Sequence, residues 1–113
     1  MIENIYDYFK KEVEVCIDKK LESRHPQWNF IYTLNYGYLP NTLNSDREEF
    51  DCYVLGVFEL ITRIKGKCIS VIHRIDDNDD KLIVSLNEKV YSDDAIIALT
   101  EFQERFFDIR IIR

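Results

Sequence analysis

Three carboxylates at offsets 0, +2 and +5, Asp46, Glu48 and Asp51, follow directly on an aromatic glycine turn, Asn35-Tyr36-Gly37-Tyr38-Leu39-Pro40. A second acidic knot, Asp76-Asp77-Asn78-Asp79-Asp80, runs straight into Lys81. Two carboxylates 5 Å apart repel by about 3 kcal/mol at an effective dielectric near 20. On a solvated turn, salt and motion relieve most of that repulsion. On a rigid strand edge the cluster needs a cation or raised pKa values. Hard oxygen ligands favour Mg²⁺, Mn²⁺ or Ca²⁺, and Mg²⁺ binds through a few carboxylates together with substrate phosphates. The two knots therefore read either as a divalent-metal phosphate site or as two acidic hairpin turns.

The elements that must position these residues are mainly strands. Ile2, Ile5, Tyr6 and Phe9 fall at helical spacing and predict a short N-terminal helix. Val13, Val15 and Ile17 alternate with polar neighbours, as in a half-buried strand. Residues 22–29 lack periodicity, Phe30 to Tyr36 is aromatic and β-prone, and Cys52 to Leu60 is a strand interrupted by Gly56. Gly66 reads as a turn into a strand over Cys68 to Ile75, and Lys81 to Leu86 returns as another. Ser92 caps a helix with Asp93 and Asp94 in its first turn, and the helix is expected over 93–106. A last short strand is expected over Ile109–Ile112. The sum is a mainly β (α+β) fold: a small OB-like five-stranded antiparallel barrel with a short N-terminal and a C-terminal helix.

At 113 residues with 46% hydrophobic and 13% aromatic content, residues 1–113 read as one domain with a packed core. The net charge of −6, with scattered basic residues, argues against nucleic acid as a partner. No apolar run approaches a membrane span, so no membrane partner is expected. Three widely spaced cysteines without a CxxC fit buried thiols in a reducing, cytoplasmic compartment. His73 reads as an edge or core histidine. The sharper reading has His73 or Arg74 supplying some of the positive charge that the late helix lacks. His25-Pro26 reads as a turn and Trp28 as an anchoring aromatic.

The block from Asn35 to Leu43, followed by Asp46, Glu48 and Asp51, resembles the family I soluble inorganic pyrophosphatases. Ser70-Val71-Ile72 through Asp79-Asp80-Lys81-Leu82-Ile83-Val84 resembles a later block of the same family, in the right order. The resemblance spans roughly residues 30–107. It implies an OB-like barrel and Mg²⁺-dependent hydrolysis of inorganic pyrophosphate or a related small phosphoanhydride, with Mn²⁺ as the alternative ion. It also implies metal ligands at Asp46, Asp51, Asp76 and Asp79, and a water-orienting catalytic carboxylate at Glu48. Phosphate contacts fall to Lys81, Tyr36 and Arg24. Relatives in that family commonly form oligomers, so a homo-oligomer is expected. Phe106-Phe107 stand where the family carries a Tyr-Lys pair, which favours the alternative: a non-catalytic OB-type phosphate-binding or protein-interaction module derived from a pyrophosphatase.

Overall fold

The computed structural model describes residues 2–87 and 89–113. A single turn of 3₁₀ helix, Ile5–Tyr8, precedes β1 (Glu12–Lys19), β2 (Asn35–Tyr38), β3 (Asp51–Leu55), β4 (Arg63–Arg74) and β5 (Lys81–Ser85). The helix α1 (Asp93–Glu104) and β6 (Ile109–Ile112) complete the chain. The strand order is β1-β2-β3-β5-β4, and the pairing of β1 with β4 closes it into a five-stranded barrel. β6 is added outside the ring, antiparallel to the second half of β4. This is the OB arrangement that the strand pattern predicts. One pairing corrects the expectation of a wholly antiparallel barrel. β3 and β5 run parallel, because the chain crosses over through β4 before returning beside β3.

Period-two alternation here divides two cores rather than a core from water. Val13, Val15, Cys52, Val54, Cys68, Val71, Leu82 and Val84 fill the barrel interior, together with Leu39 and Phe50. The intervening Tyr53, Leu55, Ile72 and Ile83 face a second cluster with Tyr32, Leu34, Ile96 and Phe102. β3 and β5 therefore read as continuous buried runs, as strands covered on both faces do. The outer cover is α1 and the aromatic segment before β2. α1 begins where the sequence predicts, with the Ser92 hydroxyl accepting the Ala95 N–H.

Other boundaries differ from expectation. The β-prone stretch from Phe30 enters the sheet at Asn35, because residues before it pack across the barrel. The strand expected to reach Leu60 ends at Leu55, where Gly56 takes φ +83°. Gly66 does not turn the chain. It lies inside β4 opposite Val13, and a Cβ there would come within 2.6 Å of Val84 Cγ1. Among the described residues, no helix is long and apolar enough to cross a membrane.

The glycine of the Tyr-Gly-Tyr motif has a direct steric cause. Gly37 pairs with Ile17 across the irregular β1–β2 register, and a Cβ would fall 1.9 Å from the Cys16 carbonyl oxygen. That obstacle is backbone and cannot rotate away. Gly37→Ala is expected to lower the unfolding free energy by about 3 kcal/mol or more, measured by urea titration. A loss below about 1 kcal/mol would contradict the close approach.

Candidate active site

Strand register brings the two acid segments together. In the parallel β3–β5 pair, Asp51 lies directly opposite Lys81. The Lys81 Nζ donates to Asp51 Oδ2 at 2.7 Å and to Asp79 Oδ2 at 2.9 Å. The lysine is 2% exposed, while both carboxylates keep over a third of their side-chain surface open. Its ammonium also stands 5.7 Å over the Tyr36 ring. These four residues line one pocket of about 600 Å³, within the size range of small-molecule sites. Burial, and then the charge of Asp51, push the Tyr36 phenol well above its ordinary pKa, so it remains a hydroxyl donor.

A second cation stands beside them. Arg74 grips Glu104 with two parallel hydrogen bonds, Nε to Oε1 at 2.8 Å and Nη2 to Oε2 at 2.7 Å. Its Nη1 lies 3.4 Å from Asp77 Oδ2 and 3.6 Å from Asp79 Oδ2, and its guanidinium stacks 3.7 Å over the Phe107 ring. Burial alone would lower the Arg74 pKa, but the hydrogen bonds and charge of Glu104 more than offset this and raise it. Behind the pair, Tyr53 donates to Glu104 and Gln103 donates to the Tyr53 hydroxyl. Tyr32 in turn donates to Gln103 at 2.9 Å. This chain of hydrogen bonds ties the end of α1 to the barrel wall behind the pocket.

The structure thus gathers Tyr36, Asp51, Asp79 and Lys81, and leaves four expected residues off the pocket lining. Asp46 and Glu48 sit on an exposed turn, where the Asp46 carboxylate accepts the Glu48 N–H at 2.9 Å. Asp76 accepts the Asp108 N–H and secures the approach to β6. Arg24 is exposed and donates to the Asn29 carbonyl. In their place the pocket gains Lys19, Arg74 and Asp77. Alternation along β4 points to Arg74, since it buries Ile72 and Arg74 and leaves His73 half-exposed against Asp80. Lys19 and Asp77 have no comparable signal: one ends a strand after an irregular register, the other is one acid among four. His25 makes the expected turn, its Nδ1 accepting the N–H groups of Gln27 and Trp28.

A divalent ion finds a limited donor set here. Among the described residues, no three His, Cys, Asp or Glu side chains form a metal cage. Asp51 and Asp79 nevertheless converge on one cation, the Lys81 ammonium, and each has a second carboxylate oxygen. Two hard carboxylates beside an open pocket fit the way Mg²⁺ binds, which needs one or two protein ligands plus substrate oxygens.

Comparison with known proteins agrees with the barrel. The family model described as inorganic pyrophosphatase matches residues 3–110. The chain belongs to the inorganic pyrophosphatase family. It is 29% identical over 84 residues to the inorganic pyrophosphatase of Saccharolobus solfataricus, covering 72% of this chain and 46% of that one. It is 35% identical over 63 residues to that of Helicobacter pylori, covering 52% of this chain and 36% of that one. The matched segment is thus less than half the length of these curated relatives. Among solved structures, the Ehrlichia chaffeensis inorganic pyrophosphatase superposes with a TM-score of 0.71 at 18% identity, over 96% of this chain and 86% of that one. The Helicobacter pylori enzyme superposes with a TM-score of 0.64 at 20% identity, over 97% and 86%. At those identities the superpositions speak for the fold.

The Arg74–Glu104 pair is almost wholly buried, at 6% and 1% side-chain exposure. Removing one partner strands the other charge away from water. Glu104→Ala is therefore expected to lose about 3–5 kcal/mol of stability in chemical denaturation. A loss under about 1 kcal/mol would show that solvent reaches Arg74.

Proposed function

We propose that this chain binds pyrophosphate or a related small phosphoanhydride in the Asp51–Asp79–Lys81 pocket and hydrolyses it with Mg²⁺, with Mn²⁺ as a substitute. The observation that carries this reading is one buried ammonium held between two half-open carboxylates, with a guanidinium beside them. Phosphate oxygens need N–H and O–H donors, and Lys81, Lys19 and the neutral Tyr36 hydroxyl supply them. Asp51 and Asp79 would hold the ion. A bound divalent ion supplies charge neutralisation on the phosphates and an acidified water. Arg74, clamped by Glu104, orients Asp79 and keeps cationic charge along the wall.

A second reading has its own support. Lys81 and Arg74 already neutralise the carboxylates, so the pocket could serve as a phosphate-binding module without turnover. Phosphate release from pyrophosphate with and without Mg²⁺ or Mn²⁺ separates the two. The hydrolase reading expects metal-dependent release. Binding by calorimetry with no release under any divalent ion would leave only the module. Assembly as a homo-oligomer in the cytoplasm belongs to the same proposal. It is supported by exposed Phe58 and Leu60 and by three free cysteines, and sedimentation tests the assembly.

Two variants test the assignment. Mg²⁺ should raise the melting temperature of the wild type, because a ligand of the folded state stabilises by mass action. The double variant Asp51→Asn, Asp79→Asn should abolish that shift and lower turnover by about 10²-fold or more. Glu48→Gln, on its exposed turn, should change turnover by less than about twofold. A loss of about 10²-fold there would bring Glu48 into the reaction as the water-orienting carboxylate that the resemblance implies.

A further inference from the structure

The pocket has two unlike halves. Its floor carries Lys81, Asp51, Asp79 and Lys19, and its outer wall is built of rings. Trp28 and Phe106 stack at 6.3 Å between centroids with planes 26° apart, and Phe30 stacks on Phe106 at 6.0 Å and 28°. These near-parallel rings are not sealed into the core. Trp28 is 63% exposed and Phe106 56% exposed, while Phe102 beneath them is buried. Inorganic pyrophosphate presents only charged oxygens, and such a wall offers it nothing.

We infer that the Trp28–Phe106 wall is a stacking platform for a nucleobase, and that the pocket takes a nucleoside di- or triphosphate with its phosphates on the floor. The inference rests on the phosphate-binding reading of that floor. Exposed aromatic faces beside a floor that offers Lys19 and Lys81 to phosphate oxygens, and Asp51 and Asp79 to a divalent ion, match a ligand that is apolar and planar at one end and anionic at the other. Charge alone does not select the base, since every base has a π-face, so stacking gives affinity with little preference among bases. One polar group stands at the wall. Because His25 Nδ1 accepts two backbone N–H groups, its ring proton sits on Nε2, which has no partner among the described residues. Burial, and then Lys19, lower the His25 pKa, which favours this neutral donor form. That N–H can meet a ring nitrogen or carbonyl of the base.

The chain has a single tryptophan, so its intrinsic emission reports on Trp28 directly. The experiment titrates the full chain, with Mg²⁺ present, with adenosine triphosphate, tripolyphosphate and pyrophosphate, each as its non-hydrolysable methylene-bridged analogue, following emission and binding heat. Adenosine triphosphate should quench the emission and bind at least about tenfold more tightly than tripolyphosphate, the advantage expected from one stacked base. Phe106→Ala should bring that ratio towards one. Equal affinities with no quenching by the nucleotide, while tripolyphosphate and pyrophosphate still bind, would overturn the platform and leave the floor reading intact. No binding by any of the three would overturn the floor reading, and the platform with it. A dimer in sedimentation that is lost in Trp28→Ala would assign the rings to a second copy instead and also overturn the inference.

Discussion

A buried guanidinium held by a buried carboxylate organises this molecule. Arg74 comes from the end of β4 and Glu104 from the end of α1, so the pair fixes the helix against the barrel at one point. One side of the pocket depends on that point. Tyr53 and Gln103 are positioned by Glu104, Phe107 lies flat against Arg74, and Asp77 and Asp79 turn inward towards the remaining guanidinium nitrogen. Such a pair is poor evidence for net stability, since desolvating two charges offsets much of their attraction. Its clearer value is orientation, because a planar fork on a carboxylate permits few alternative packings.

The electrostatics of the pocket follow from the same economy. Asp51, Asp77 and Asp79 crowd a small region, and their mutual repulsion is relieved from within by Lys81 and Arg74. The acid cluster is therefore closer to a network of ion pairs than to an open cage. Among the described residues, Lys81 alone serves both Asp51 and Asp79. Under the proposed function, a phosphate that engaged this ammonium would free carboxylate oxygens for an ion, and one lysine would couple the two events.

Much of this was legible in the chain. Alternation in β1 and the acidic first turn of α1 follow local rules, and structure respects them. The resemblance points to Asp51, Asp79, Lys81 and Tyr36, and the structure places all four around one pocket. What escaped depends on contacts distant in sequence. The parallel pairing of β3 with β5 arises from crossover topology, which no local pattern encodes. Gly66 looked like a turn because glycine breaks strands as a rule, whereas here a neighbouring valine requires it. Asp46 and Asp76 lie off the pocket lining, each accepting a backbone N–H nearby.

The parallel strand pairing also has a kinetic side. Asp51 and Lys81 are 30 residues apart, Arg74 and Glu104 likewise, and Tyr32 reaches Gln103 across 71. Hairpins and the helix can form early, but none of them alone contains a working fragment of the pocket. Barrels with such non-local pairings fold slowly, since loop-closure entropy must be met before distant contacts stabilise anything. Until α1 docks, Arg74 has no Glu104 and the aromatic segment has no cover. The wall behind the pocket is complete only once α1, close to the C-terminus, has docked on the barrel and brought Glu104 to Arg74.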